Sequence, residues 1–276
     1  MFKRSLAIGT AALLASAATL QPALAQYQPY DPYYQQYNQY QNQDRYYQQQ
    51  QSQYERDRAY YESQYNNQYR YTPPPGASRL LHERLGLSPE VPLVLYHGGL
   101  FPDRGIEQLI VAIDAIPSAH LVLMGYGVLA TTVPALIGSS PAASRIHVLP
   151  AVAPDVLHDW VASAEVAAMP IQPSTLNHRL TTPNKLFEAM AAGVPVVASD
   201  LPGMASIVRE TRCGELCDPT DPDSIATAIR TILEAPADTR RGYGERGHAA
   251  AHARYNWEAQ AAALFEAYGR LTGRAW

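Results

Sequence analysis

The most specific pattern in this chain of 276 residues is the stretch TTPNKLFEAMAAGVPVVAS, residues 181–199. Thr182 suits the position that caps a helix and Pro183 suits the first helical position, so the stretch predicts a helix that begins there. The apolar run 194–199 that follows predicts a buried strand. A helix that leads directly into a short apolar strand is typical of α/β domains.

The same alternation extends on both sides of this stretch. Two segments carry apolar residues at helical spacing, from Ile106 to Ile113 and from Ile225 to Leu233. Alternating strands and helices predict parallel strands joined by right-handed crossovers, which is a Rossmann-like, doubly wound α/β sheet. Ligands bind such sheets beyond the carboxyl ends of the strands, so the loops after the strands are the place to look for a site. Six strands are predicted, over residues 92–96, 120–124, 145–149, 166–170, 194–199 and 214–217.

The loop after the first strand contains two adjacent glycines, Gly98 and Gly99, which let the backbone approach a ligand closely. The helix that follows points its amide-rich start at the same place, which suits a phosphate. Arg104 adds a fixed positive charge with several donors, although an arginine near a helix start is more often solvated. His97 precedes the glycines and is as compatible with capping a turn as with binding a ligand.

Two further loops lie at the same predicted edge. Gly125, Tyr126 and Gly127 follow the second strand and could bring backbone against a nucleotide, yet glycine after a strand is also an ordinary turn residue. Leu149 ends the third strand. Neither loop identifies a ligand by itself.

The helix predicted from residue 183 carries three polar candidates, Asn184, Lys185 and Glu188. A carboxylate at the ligand edge of a sheet can bind a vicinal diol, as acidic residues do for ribose in dinucleotide sites. Lys185 could neutralise a phosphate or face water, and Glu188 could equally be a solvated side chain.

Several motifs together resemble the C-terminal, donor-binding domain of retaining glycosyltransferases of family 4, which have the GT-B fold. They occur in order, with sensible spacing, over roughly residues 79–270. The matching stretches are LYHGGL at 95–100 with Arg104 and Gly105, MGYG at 124–127, PNKLFE at 183–188, GVPVV at 193–197, DLPGM at 200–204, CGELCDP at 213–219 and YNWE at 255–258.

The resemblance implies an enzyme whose donor substrate is a nucleoside diphosphate sugar, with no cofactor and no metal. It implies that Glu188 holds the ribose, while Arg104 and the Gly98 and Gly99 amides hold the diphosphate. Arg104 and then Lys185 are the expected catalytic cations, since positioned donors stabilise the charge that grows on the leaving diphosphate. The other residues expected to bind the donor are Gly125, Tyr126, Gly127, Leu149 and Asn184.

The sequence also departs from the family pattern. Leu180 stands where a second glutamate is common, and Gly99 stands where an arginine is common, so one basic residue remains in the first loop. The resemblance covers only the donor half, and a GT-B enzyme binds its acceptor in an N-terminal half. An unknown acceptor and a separate chain that supplies the acceptor half are therefore expected partners. The final helix, around Trp257 and Phe265, is expected to expose apolar surface.

The N-terminal part of the chain has a different character. Residues 1–25 have a basic start, an apolar run and a small-residue end, which predict a cleaved export signal and no membrane span in the mature protein. Residues 26–77 hold 14 of the 19 tyrosines with many glutamines and a proline linker, which predicts a disordered, low-complexity segment before a domain at 78–276. Export conflicts with the cytoplasmic supply of nucleotide sugars.

Composition excludes some classes of function. The formal net charge of −4 gives no reason to expect a nucleic acid partner. Cys213 and Cys217 would be too far apart to form a disulfide along a strand and are expected to be small core residues.

Three hypotheses for the function remain: a glycosyltransferase, an exported non-catalytic binding or adhesive protein with a relic donor domain, and a nucleotide-sugar epimerase of the same fold.

Overall fold

The computed structural model describes residues 78–272 of the chain. The predicted export signal and the Tyr/Gln-rich segment lie outside these residues. Within them, no helix is both long enough and apolar enough to cross a lipid bilayer.

A six-stranded sheet forms the centre of the domain, and all of its pairings are parallel. The order across the sheet is β3-β2-β1-β4-β5-β6. This confirms the predicted Rossmann-like, doubly wound α/β fold, and each predicted strand is present with ends that differ by at most three residues. The strands are β1 (Leu93–Gly99), β2 (His120–Tyr126), β3 (Ile146–Leu149), β4 (Val166–Met169), β5 (Val196–Ser199) and β6 (Gly214–Cys217).

Helices connect the strands and cover both faces of the sheet. Their bounds are α1 (Leu80–Leu85), α2 (Ile106–Ala112), α3 (Val133–Gly138), α4 (Pro154–Val161), α5 (Leu176–Leu180), α6 (Asn184–Ala191), α7 (Pro202–Thr211), α8 (Pro222–Leu233), α9 (Ala237–Ala253) and α10 (Trp257–Thr272).

The start of α6 corrects one sequence prediction. Pro183 was expected at the first helical position with Thr182 as the cap, but the helix begins at Asn184. Pro183 has ψ 146°, an extended value that places it before the helix, and no side chain caps the end. The amide of Leu186 instead bonds the Pro183 carbonyl at 2.9 Å.

Two apolar cores lie on opposite faces of the sheet because side chains alternate along each strand. In β1, Leu93 and Leu95 join the core that includes α6, whereas Val94 and Tyr96 join the core that includes α2 and α8. All four are fully buried. Burial on both faces explains why the strands are continuous apolar runs.

The chain order fixes where a ligand would bind. From β1 the chain moves outward through β2 and β3, and it then returns to β4 on the other side of β1. The loops after β1 and β4 therefore leave the sheet in opposite directions. A crevice opens at such a switch point, at the carboxyl ends of the strands.

Two smaller predictions are confirmed as well. Cys213 and Cys217 are both buried and form no disulfide. Cys213 directly precedes β6, and Cys217 is its last residue. Helix α10 carries large exposed apolar side chains, with Trp257 73% and Phe265 52% accessible.

Candidate functional site

The carboxyl end of β1 lies at the switch point and carries the first site residues. Tyr96 is fully buried, and its hydroxyl donates to the Gly99 carbonyl at 2.7 Å. His97 is the next residue and is also buried. The strand then opens into the glycine loop through Gly98, whose φ is 110°.

His97 contacts Glu188 across the site. Its Nε2 lies 2.9 Å from the Glu188 Oε2. Alternation along β1 puts His97 on the same face as Leu95, which packs in the core that contains α6. Burial lowers the pKa of His97, and the hydrogen bond to Glu188 only partly opposes this. The imidazole is therefore neutral at neutral pH and donates its Nε2 proton to the carboxylate.

Glu188 is held on one side and open on the other. Its side chain is 37% accessible, while His97 occupies one of its two oxygens. Among residues 78–272 His97 is the only hydrogen-bond partner found for this carboxylate, so its second oxygen can accept from a ligand. The arrangement supplies an oriented acceptor of the kind that binds hydroxyl groups.

Lys185, one helical turn before Glu188, reaches back to the same loop. Its Nζ lies 3.7 Å from the centre of the Tyr96 ring, a cation–π geometry. It also lies against Gly98, where an added Cβ would be 3.3 Å from Nζ. Burial lowers the pKa of Lys185 to about 7, with Arg104 lowering it further and Glu188 opposing the shift.

Arg104 belongs to the same group of charges. It is partly buried near the end of the loop after β1, and its charge acts on both Lys185 and Tyr96. Burial raises the pKa of Tyr96 far above its ordinary value, so this ring stays neutral.

The loop that carries Arg104 is fixed to the end of β4. Gly105 has φ 77°, and a Cβ on it would lie 2.0 Å from the Pro170 carbonyl oxygen. The amide of Gln172 donates to the Asp103 carbonyl at 2.9 Å. Glycine is therefore required at 105 by close approach as well as by conformation.

The second glycine loop packs on the first. Gly125 pairs with Gly98 and Tyr126 with Gly99, and the Leu100 amide donates to the Tyr126 carbonyl at 2.7 Å. A Cβ on Gly125 would lie 1.8 Å from the Gly98 carbonyl oxygen. Packing therefore explains Gly125, while the Tyr126 side chain is 44% exposed at the sheet edge.

The remaining expected residues lie farther apart. Gly127 follows Tyr126 in the same loop. Asn184 is exposed at the first position of α6, beside Lys185. Leu149 ends β3, two strands from β1, with its side chain buried. Leu180, which stands where the family commonly has a second glutamate, ends α5 and is 57% exposed.

Sequence reasoning did not predict two contacts in this site, the hydrogen bond between His97 and Glu188 and the cation–π contact between Lys185 and Tyr96. His97 was considered only as an isolated side chain, and Tyr96 only as part of a strand and a motif. The available signal was a histidine directly after an apolar strand and before two glycines, in a fold that places such positions at the ligand edge.

Comparison with known proteins agrees with the fold. The family model "Glycosyl transferases group 1" matches residues 91–235, which is 145 of the 276 residues. The chain belongs to this glycosyltransferase family. The matched region includes every strand and the whole group from Tyr96 to Glu188.

Two curated relatives illustrate the family. A D-inositol 3-phosphate glycosyltransferase of Xylanimonas cellulosilytica is 32% identical over 213 residues, covering 74% of this chain and 49% of the relative. A GDP-mannose-dependent alpha-(1-6)-phosphatidylinositol monomannoside mannosyltransferase of Mycolicibacterium smegmatis is 30% identical, covering 74% and 54%. The chain thus spans about half the length of these glycosyltransferases.

Solved structures give the same result. Sucrose-phosphate synthase of Thermosynechococcus elongatus superposes with a TM-score of 0.60 and 29% identity, covering 70% of this chain and 48% of that one. The C-terminal domain of a group 1 family glycosyl transferase of Francisella tularensis has a TM-score of 0.52 and 16% identity, with 67% and 96% covered. The predicted resemblance to the C-terminal domain of a family 4, GT-B glycosyltransferase is therefore confirmed.

Proposed function

We propose that the chain binds a nucleoside diphosphate sugar and takes part in transferring its glycosyl group, with retention of anomeric configuration, to an acceptor hydroxyl. The observation that carries the proposal is the convergence, at one sheet edge, of an oriented carboxylate and two cations. These are Glu188, fixed by His97, and the pair Arg104 and Lys185 beside the glycine loop.

The ribose would bind to Glu188. Its second carboxylate oxygen can accept from the two neighbouring hydroxyls, while His97 keeps the first oxygen in place. A carboxylate that is already oriented loses less entropy on binding than a freely rotating one. The exposed Asn184 lies on the same helix and could contribute a side-chain contact.

The diphosphate would lie between the glycine loop and the two cations. As the bond from the anomeric carbon to the phosphate oxygen breaks, its electron pair passes to that oxygen. The acceptor oxygen forms the new bond on the same face of the sugar, and its proton passes to the departing diphosphate oxygen on that face. Arg104 and Lys185 would stabilise the charge that grows on the leaving diphosphate.

The acceptor would be bound by a partner domain or a separate chain. The curated relatives are about twice as long as the matched region, so acceptor binding belongs to proteins that contain more than this domain. The exposed apolar side chains of α10 support docking of such a partner, because patches of this kind mark interaction surfaces.

A second candidate function is an exported, non-catalytic binding or adhesive protein with a relic donor domain. It is favoured by the export pattern in residues 1–25, which conflicts with the cytoplasmic supply of nucleotide sugars. Under this proposal the site would not bind nucleotide with useful affinity.

Isothermal titration calorimetry of the whole chain with UDP and with GDP distinguishes the two candidate functions. We expect one nucleotide to bind, and Glu188→Ala and Arg104→Ala each to weaken binding at least tenfold, about 1.4 kcal/mol or more. Glu245→Ala and Arg241→Ala on the exposed face of α9 are matched controls that should bind normally. No binding of either nucleotide would support the relic domain instead.

A further inference from the structure

Tyr96 and Lys185 meet at the end of β1 although they belong to opposite faces of the sheet. Tyr96 packs in the core that includes α2 and α8, whereas α6, which carries Lys185, packs in the other core. The Lys185 Nζ nevertheless lies 3.7 Å from the centre of the Tyr96 ring. The lysine side chain therefore crosses the edge of the sheet and ends on the face that α2 covers.

The end of the neighbouring strand leaves room for this crossing. The register of β1 with β4 puts Met169, the last residue of β4, level with His97. Beyond this level β1 continues into Gly98, which alternates to the same face as Tyr96. A Cβ on Gly98 would lie 3.3 Å from the Lys185 Nζ and 3.4 Å from its Cε. The missing side chain at Gly98 therefore gives the ammonium group space to reach the ring.

The Tyr96 ring is a fixed surface at this point. The side chain is fully buried, and its hydroxyl donates to the Gly99 carbonyl at 2.7 Å. Burial raises the pKa of the hydroxyl, so it keeps its proton and remains a donor. The core and this hydrogen bond together hold the electron-rich face of the ring toward Lys185.

The other groups around Lys185 do not hold it in place. Among residues 78–272 its ammonium group forms no ion pair, and the nearby Glu188 carboxylate is engaged by His97. The positive charge of Arg104 acts on Lys185 and repels it. An aromatic face attracts a cation within about 6 Å, and more strongly where water is excluded. The ring therefore offsets the repulsion between two like charges at the glycine loop.

We propose that Tyr96 is a positioning residue for the donor diphosphate: its ring face holds the Lys185 ammonium beside Gly98 in the free protein, so that both cations are in place before the ligand binds. The inference rests on the proposed function and adds to it a residue that does not itself touch the donor. Binding then avoids the entropy cost of ordering a long side chain, which corresponds to roughly two- to tenfold in affinity.

The test is a double-mutant cycle on the affinity of the whole chain for UDP or GDP, measured by calorimetry. Tyr96→Leu removes the ring face and should weaken binding about fivefold. Lys185→Met removes the cation and should weaken binding at least as much. The double variant should bind within about twofold of Lys185→Met alone, because the ring acts through the lysine.

Tyr96→Phe is the matched control. It keeps the ring face and loses only the hydroxyl, so its affinity should stay within about twofold of the wild type. Tyr96→Leu also leaves a cavity in the core, and urea denaturation shows whether it is folded. If it does not fold, fluorinated phenylalanines at position 96 weaken the ring face at nearly constant volume. Affinity should then fall with each added fluorine, and only in chains that keep Lys185.

Equal affinity in Tyr96→Leu and the wild type, losses that simply add in the double variant, or an affinity that fluorination does not change would overturn the inference. Each of these results leaves the proposed function standing. Tyr96→Phe binding as weakly as Tyr96→Leu would overturn it too, because the hydroxyl and not the ring face would then matter. A wild type that binds neither nucleotide removes the proposed function and the inference together.

Discussion

The His97 imidazole lies 2.9 Å from the Glu188 carboxylate, although the two residues are 91 positions apart in the sequence. The contact joins the end of β1 to α6 and orients the acidic group that we propose binds ribose.

Replacing His97 should weaken nucleotide binding through Glu188. His97→Phe removes the donor, and we expect about a tenfold loss of affinity, because a hydrogen bond to a charged group contributes about 1.5–3 kcal/mol. His97→Gln keeps a donor and should recover part of the loss. Calorimetric titration of both variants measures this, with a thermal melt to show that each is folded. Equal affinity in His97→Phe and wild type would contradict the proposed role.

Lys185 should lower the free energy of unfolding by an amount that depends on pH. Its folded-state pKa is about 7, below its ordinary value of 10.5, so the unfolded chain binds the extra proton between these values. The penalty is therefore complete below about pH 7 and disappears as pH rises toward 10.5. Lys185→Met should raise the melting temperature more near pH 7 than near pH 10. A gain that is equal at both pH values, or larger at high pH, would contradict this.

The histidine pair of the β2 and β3 strands should weaken the fold in acid. His120 Nδ1 lies 2.9 Å from His147 Nε2, and burial lowers the pKa of both residues below 6.5. The unfolded chain then binds more protons as pH falls below 6.5, so stability declines there. Urea denaturation near pH 7 and near pH 5 should show a smaller acid loss in His147→Gln. An unchanged acid loss in this variant would argue against the pair as its source.

Gly105 should tolerate alanine much less well than Gly86. Both have positive φ, 77° and 65°, but a Cβ at Gly105 would lie 2.0 Å from the Pro170 carbonyl, whereas nothing lies within 4 Å at Gly86. Gly86→Ala isolates the conformational cost of about 1–2 kcal/mol. Gly105→Ala adds displacement of the loop, for roughly another 1–3 kcal/mol, and should also weaken nucleotide binding. Equal unfolding free energies for the two variants would show that the loop is not fixed to β4.

Much of the fold could be predicted from the sequence because its strands are buried on both faces. Continuous apolar runs such as 120–124 and 166–170 mark such strands directly, and the periodic run from Ile225 marks α8. The start of α6 was misplaced by one residue because Pro183 fits equally well just before a helix and at its first position.

The site was predicted only as separate residues. The positions of Glu188, Lys185 and Arg104 followed from motifs, but the pairing of His97 with Glu188 depends on how β1 and α6 pack, which local pattern does not specify. The depressed pKa of Lys185 likewise depends on burial and on the approach of Arg104 in the folded chain. Every expected donor ligand, including Leu149 and Asn184, remains a prediction.

The most direct test of the central claim is a crystal structure of the whole chain with UDP or GDP bound. We predict that the ribose hydroxyls hydrogen-bond to the Glu188 carboxylate oxygen not held by His97. We also predict that the diphosphate lies between Gly98 and Gly99 on one side and Arg104 and Lys185 on the other. A nucleotide bound elsewhere, or one whose ribose makes no contact with Glu188, would contradict the account.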